Sequence, residues 1–160
     1  MFNIESLKFK DYEMFRTMFL DYFINDCHVK YDVEKLRQNL INQTILPQHE
    51  RGLIFIDVIK QKLNCVGFII YQIDQEESDW NERLGCGFIR EFYIKPEFRK
   101  QGLGSRLLSY AENKLKELNV AEVYLTSQEN ETVKKFYEKQ GYKTQHKRAK
   151  NGNEYFEKQL

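Results

Sequence analysis

The chain carries one compact stretch that can do chemistry, Arg99-Lys100-Gln101-Gly102-Leu103-Gly104. It falls between a strand-like run, Gly87 to Lys95, and a helix-like run, Leu103 to Leu118. Two glycines at the mouth of a helix let the backbone approach a ligand closely, because neither carries a Cβ. A helix start also offers unpaired N–H groups and the positive end of the helix dipole. Together these form a cradle for an anion, a phosphate or pyrophosphate. The nucleotide-binding P-loop is excluded, because no Lys-Ser/Thr follows Gly104, and G-x-G-x-x-G is not matched either, since Leu107 occupies the last glycine position.

Further along stands Asn130-Glu131-Thr132-Val133-Lys134-Lys135-Phe136-Tyr137-Glu138-Lys139-Gln140-Gly141-Tyr142. Asn130 is placed to cap a helix, and Gly141 to stop it. The strand before the glycine turn, Ile89 to Ile94, alternates so that Phe88, Phe92 and Ile94 share a face with Arg90 if pairing is regular. A buried, unpaired arginine is costly. Either both faces are partly covered, or parity slips at a β-bulge.

The elements that must position these residues follow from periodicity. Met1 to Leu7 reads as a strand. Asp11 to Ile24 has apolar residues at helical spacing, and a second helix is predicted from Val33 to Ile45, followed by a loop at Pro47 to Arg51. Leu53 to Ile59 and Cys65 to Ile73 read as a hairpin turning at Gln61 to Asn64, and Phe88 to Ile94 as a further strand ended by Pro96. A helix at Leu103 to Leu118, a strand at Val120 to Thr126 and a helix at Thr132 to Gln140 follow. Tyr142 to Lys150 and Glu154 to Gln159 flank Asn151-Gly152, a type I′ hairpin signal. The strand–helix–strand step from residue 88 to 126 implies one parallel, right-handed pairing within an otherwise antiparallel sheet.

Composition bounds the rest. The 160 residues are predicted to form one domain, 1–160, with 41% hydrophobic and 31% charged residues. Lys plus Arg number 25 against 24 Asp plus Glu, a net charge of +1. That balance argues against nucleic acid or an anionic membrane as partner. Apolar runs such as Val66 to Tyr71 are too short to span a bilayer, and no signal peptide is read at the N-terminus. Cys27, Cys65 and Cys86 are widely spaced, with no metal-ligand pattern, so no metal is expected and the thiols fit a cytoplasmic protein. His28, His49 and His146 are isolated and receive no role.

The glycine turn fits the pattern Arg/Gln-x-x-Gly-x-Gly/Ala, and the chain here resembles the GCN5-related N-acetyltransferases (GNAT). Asn130 to Tyr142 resembles the family's Asn-x-x-Ala-x-x-Phe-Tyr-x-x-x-Gly-Phe, with Val133 replacing the alanine. Ile89 to Arg99 resembles its Leu-Tyr-Val-x-Pro-x-Tyr-Arg. The resemblance runs from about Gly52 to the C-terminus and is specific from Phe88 to Tyr142. It implies the GNAT fold, an α/β (α+β) domain with a mixed, mostly antiparallel sheet of about six or seven strands flanked by about four helices.

The resemblance further implies acetyl-CoA as co-substrate, its pyrophosphate on the amides around residues 101 to 105, with Arg99, Lys100, Gln101, Gly102, Leu103, Gly104 and Ser105 as cofactor-binding residues. Phe92, Tyr93, Ile94, Asn130, Phe136 and Tyr137 would line the acyl-pantetheine slot, which a bulge opens between two splayed strands. Glu91 is the candidate general base, or else a solvated strand carboxylate. Some relatives place a glutamate five residues before the Asn, where this chain has Leu125, and Glu129 is nearby. Tyr137 is the candidate acid for the departing thiolate, and a backbone N–H near Tyr93 or Ile94 the oxyanion donor. Lys134, Lys135 and Lys139 are either phosphate contacts or a solvated face.

The family's acceptor pocket corresponds here to Met18, Tyr22, Tyr31, Trp80, Tyr93 and Tyr155, with Glu76, Glu77 and Asp79 in an acidic loop. Aromatic and acidic groups together suit a cationic amine. The expected activity is acetyl transfer to a primary amine of a small molecule or peptide, direct and in a ternary complex. The alternative is a non-catalytic acyl-CoA-binding module. The C-terminal strands or the exposed sheet edge leave room for a homodimer.

Overall fold

The computed structural model describes residues 1–27 and 32–160. A seven-stranded sheet runs through it in the order β1-β2-β3-β4-β5-β7-β6. The strands are β1 (Phe2–Ser6), β2 (Phe55–Gln61), β3 (Asn64–Ile73), β4 (Gly87–Ile94), β5 (Glu122–Ser127), β6 (Lys143–Arg148) and β7 (Glu154–Gln159). All neighbouring pairs are antiparallel except β4 and β5. The crossover between those two is α4 (Leu103–Glu117), the connection a parallel pair requires.

One face of the sheet receives α1 (Tyr12–Asn25), whose Phe15, Met18 and Phe19 are buried against Phe68 and Ile70 of β3. Phe15 and Phe68 meet edge to face at 5.4 Å. Each such ring, fully buried, contributes roughly 1.5–3 kcal/mol. The other face receives α4 through Leu107, Leu108, Ala111 and Leu115, together with α5 (Glu131–Lys139). Successive residues of β3 serve the two layers alternately, which explains its near-continuous run of buried side chains.

The second helical segment differs from expectation. It begins as α2 (Val33–Leu36), continues as a π-helical stretch (Arg37–Ile45) and ends as α3 (Leu46–Glu50), so Pro47 lies inside helix rather than in a loop. The wider turn closes with the Leu46 N–H donating to the Ile41 carbonyl. Pro47 then stands in the first turn of the final segment, where a missing N–H is tolerated.

The last hairpin also departs from the type I′ expectation. That turn needs positive φ at both central residues, and only Gly152 has it, at 83°. The Gly152 N–H donates to Ala149 and the Ala149 N–H to Asn153, giving a three-residue loop. Asn151 instead spends its side chain on the Asn153 N–H at 3.0 Å.

Parity does slip in β4. Glu91 pairs with Ile70 but Ile89 with Tyr71, which leaves Arg90 as the extra, bulged residue. Phe92 and Ile94 therefore face α4, while Phe88, Glu91 and Tyr93 face α1. Of the two alternatives the strand left open, the slip is the one present, and this single insertion parts Phe88 from the face of Phe92 and Ile94. Arg90 avoids the cost of unpaired burial by donating to both Asp79 carboxylate oxygens, at 2.7 and 3.2 Å, and to Gln72 at 2.9 Å.

Candidate active site

The bulge and the end of the parallel ladder open one gap. Pairing between β4 and β5 covers only Gly87–Val123, Phe88–Tyr124 and Ile89–Leu125, and then the strands part. Beyond Ile89, no strand of the described residues pairs with this edge of β4. The Lys95 N–H donates to Val66 of β3 at 2.8 Å. Alternation along an antiparallel strand then points the Tyr93 N–H towards β3 and the Phe92 and Ile94 N–H groups into the gap. Of the two oxyanion-donor candidates, Ile94 is kept and Tyr93 is not. Gly67 permits this geometry, because a Cβ there would lie 2.5 Å from both the Ile94 side chain and the Tyr93 carbonyl.

The glycine turn lies at one end of the gap. Gly102 precedes α4 in the left-handed region, with φ at 77° and no side-chain cap on the helix. The Arg106 N–H donates to the Gly102 carbonyl at 3.1 Å. The amides of Leu103, Gly104 and Ser105 precede that first helical bond and have no intrahelical partner. A Cβ on Gly104 would lie 3.3 Å from Phe92 and 3.6 Å from Phe136, two rings that stack at 5.9 Å. The turn and the wall of the gap are thus in direct contact.

Neighbouring side chains hold the turn in place. Arg99 donates through Nε to the Ile94 carbonyl at 2.7 Å and through Nη2 to Asp26 at 2.6 Å. Its side chain is therefore a brace between the turn, β4 and the end of α1, and its amide N–H is spent on the Pro96 carbonyl at 3.2 Å, so neither is left for the ligand contact expected of Arg99. Gln140 donates to the Ser105 hydroxyl at 2.9 Å, tying α5 to the first turn of α4. The Asn130 side chain accepts from the Thr132 and Val133 N–H groups, at 3.0 and 3.2 Å.

Two titratable groups lie near the end of the parallel ladder. Glu91 accepts a 2.5 Å hydrogen bond from the Tyr22 hydroxyl of α1. Burial pushes its carboxyl up from 4.5 to about 7, although the Tyr22 bond and the Arg90 charge pull the other way. Tyr137 comes from α5 on the opposite layer, packed against Phe136, Tyr142 and Phe156. Burial, and secondarily the Glu91 charge, pushes its hydroxyl well above the ordinary tyrosine range.

The acceptor-side candidates divide. Tyr22 is joined to Glu91, and its ring packs on Tyr93 at 5.5 Å and Phe68 at 5.6 Å. Trp80 and Tyr155 belong to a separate aromatic row on the same face: Trp80 on Phe88 at 5.6 Å, Phe88 on Tyr124 at 4.7 Å, Tyr124 against Tyr155 at 5.9 Å. Tyr155 also lines a pocket of about 360 Å³ with Asn81, Glu82, Arg148 and Lys150. Met18 is core beneath α1. Glu76 and Glu77 are exposed, and Asp79 is taken by Arg90. Tyr31 and His28 lie outside the described residues. Glu129 is exposed and faces Arg148 at 3.9 Å, while Leu125 is buried.

Sequence reasoning missed the Tyr22–Glu91 bond, the Asp26–Arg99 brace and the Arg90–Asp79 pair. Each joins distant segments, and only Arg90, a charge in an apolar strand, gave any signal. Among the described residues, no group of three or more His, Cys, Asp or Glu could hold a metal ion. No helix of the described residues is long and apolar enough to cross a membrane.

A seven-stranded mixed sheet that splays beside an uncapped, glycine-led helix start defines an acyltransferase-type fold. The family model described as "Acetyltransferase (GNAT) family" matches residues 12–142, most of the chain, and the chain belongs to that family. Solved structures share the fold. The PaiA N-acetyltransferase of Thermoplasma acidophilum, solved in complex with coenzyme A, is 19% identical with a TM-score of 0.76, over 100% of this chain and 99% of that one. A GNAT-family acetyltransferase of Staphylococcus aureus is 16% identical at a TM-score of 0.74, covering 100% and 99%. The ribosomal-protein-alanine N-acetyltransferase of Brucella melitensis is also 16% identical at 0.74, covering 99% of each. Among curated proteins, no sequence matches this chain.

Proposed function

We propose that this chain is an acetyl-CoA-dependent N-acetyltransferase, passing the acetyl group directly to a primary amine of a small molecule or peptide within a ternary complex. What supports the reading is the nearness of three elements to the end of the β4–β5 ladder: the start of α4, whose Gly104 lies against Phe92 and Phe136; Glu91, just past the bulge; and Tyr137, next to Phe136 and near enough to Glu91 for that charge to raise its hydroxyl.

The cofactor's diphosphate fits the amides of residues 101 to 105, where the helix dipole favours negative charge. The Ser105 hydroxyl keeps its own proton to donate, since Gln140 uses only its oxygen. The amide NH₂ of Asn130 remains to bind a pantetheine carbonyl, its oxygen being used in the cap. The acyl end then lies between β4 and β5, against Phe92 and Phe136.

An ammonium must lose its proton before it attacks a thioester. Glu91, titrating at about 7, can take that proton directly or through a water near neutral pH. The carbonyl oxygen gains negative charge as the tetrahedral intermediate forms, and the Ile94 N–H faces the place where it would develop. The thiolate leaves with a proton from Tyr137, and the nitrogen sheds its second proton as the intermediate collapses, which restores the tyrosine. Ordinary values of about 10 for Tyr and 8.5 for a thiol already make the transfer to the thiolate slightly uphill. Burial of Tyr137 widens the difference, but the same desolvation raises a thiol held in the gap.

The test is release of free thiol from acetyl-CoA across a panel of primary amines. Amine-dependent release supports the reading. Stabilisation by acetyl-CoA without release from any amine would instead make the chain an acyl-CoA-binding module.

A further inference from the structure

We propose that Tyr22 is a positioning residue for the general base: its hydroxyl fixes one oxygen of Glu91, favours the ionised carboxylate and leaves the other oxygen for the acceptor amine. This rests on the reading of Glu91 as the base. It removes Tyr22 from the acceptor's own contacts, where sequence reasoning had put it.

The geometry is constrained from three sides. The Tyr22 ring is enclosed by Phe68 and Tyr93 of the sheet and by Phe23 of its own helix, at 5.6, 5.5 and 5.3 Å. So enclosed, the ring has little freedom to swing its hydroxyl away from the Glu91 Oε2, 2.5 Å distant. Tyrosine here is a donor throughout the physiological range, because burial and the Glu91 charge push its own ionisation far up. A fixed donor beside a carboxyl group stabilises the charged form more than the neutral one. Without it, burial alone would leave Glu91 largely protonated near pH 7 and unable to accept a proton.

The other groups facing Glu91 do not substitute. Arg90, its neighbour on β4, attracts the carboxylate but spends its guanidinium on Asp79 and Gln72. Tyr137, from α5, feels the Glu91 charge without a hydrogen bond to it among the described contacts. The Cys27 thiol, just beyond α1, is pushed up chiefly by burial; it lies within hydrogen-bonding reach of the same Tyr22 hydroxyl and also feels the Glu91 charge. Tyr22 is the group that supplies Glu91 with a direct bond.

The bond also links two ends of the site. Asp26, four residues on from Tyr22, holds Arg99 at the glycine turn at 2.6 Å. The end of α1 therefore touches both the base and the cofactor turn, and the position of the base depends on a helix that the turn helps to anchor.

The experiment compares wild type, Tyr22→Phe and Glu91→Gln by two readouts. One is the pH profile of kcat/KM for an amine that the wild type accepts. The other is the titration of ¹³C-labelled glutamate carboxyls by NMR, assigned through Glu91→Gln. Tyr22→Phe keeps the ring and its packing, and its melting temperature confirms folding. The expected result is an upward move of the Glu91 midpoint by about one to two units, a hydrogen bond to a charged group being lost. The acid limb of the profile moves with it, so activity falls roughly tenfold or more near pH 6.5 and recovers towards alkaline pH. KM for acetyl-CoA stays within twofold. An unmoved midpoint, with activity lowered equally at every pH, overturns the proposal even if the wild type transfers acetyl. A moved midpoint with no transfer by any protein overturns the functional reading and leaves the Tyr22–Glu91 coupling standing.

Discussion

Ile89 and Leu125 form the last parallel pair between β4 and β5, and the bulged residue Arg90 follows at once. The ladder thus ends where the strand parity changes. One step parts the strands and turns the next side chain, Glu91, towards α1. The chemistry proposed for this chain depends on that coincidence.

Glu91→Gln should lower acetyl transfer by about 10²- to 10⁴-fold, the range for loss of a positioned acid or base. The amide keeps the shape of the carboxyl, so binding of acetyl-CoA, measured by calorimetry, should stay within twofold. Loss of binding instead would make Glu91 a structural support of the cofactor site.

The raised Glu91 pKa has consequences of opposite sign for activity and stability. As base it must be ionised, so kcat/KM should rise about tenfold per pH unit below pH 7 and level off above it. Folded Glu91 titrates at about 7 against 4.5 in an unfolded chain, so the native state holds more protons between those values. Stability then declines as pH rises through that window, by an amount of order 3 kcal/mol if the whole shift is realised. Glu91→Gln should therefore melt higher than wild type at pH 8 and about equal to it at pH 4, by scanning calorimetry. Equal melting temperatures at both pH values would contradict the burial argument.

Tyr137→Phe should lower kcat by about 10- to 1,000-fold with little change in KM for acetyl-CoA, since the ring contacts with Phe136, Tyr142 and Phe156 remain. Steady-state kinetics with a good acceptor decide the matter. Turnover near wild type would end the general-acid role.

Gly102→Val should weaken acetyl-CoA binding about tenfold or more while barely touching packing. No atom lies within 4 Å of where its Cβ would be, so the cost is conformational, a left-handed φ of 77° forced on a β-branched residue. Gly104→Leu adds a clash, because Phe92 stands 3.3 Å from a Cβ there. Both variants should lower melting temperature and affinity, Gly102→Val through backbone strain alone and Gly104→Leu through displacement of Phe92 and Phe136. Thermal shift with and without acetyl-CoA separates the two.

Much of the fold was legible because it is written in local periodicity. The amphipathic pattern of α4, the glycine turn and the Asn130 cap are short-range features, and the structure places all three as the residues indicate. The bulge was half legible: an arginine in an apolar strand required either partly covered faces or a slip, and the structure shows the slip, with Asp79 and Gln72 as partners the sequence did not indicate. The π-helical stretch was not, because its wider turns leave the apolar spacing of Leu36, Leu40 and Ile41 looking α-helical. Nor could the sequence show that Tyr22 belongs to Glu91, or Asp26 to Arg99. Those contacts span 69 and 73 residues, and only the assembled sheet brings them together. Trp80 was read as an acceptor contact from its loop, but stacking on Phe88 gives it a packing role as well.

In the proposed reaction the amides around residues 101 to 105 hold the diphosphate of acetyl-CoA and so deliver the thioester to Glu91 and Tyr137. A crystal structure with acetyl-CoA bound measures this directly. The expected result is the diphosphate on those amides and the acetyl carbonyl between β4 and β5, within hydrogen-bonding reach of the Ile94 N–H. A cofactor bound elsewhere, with that turn left without a ligand, would contradict it.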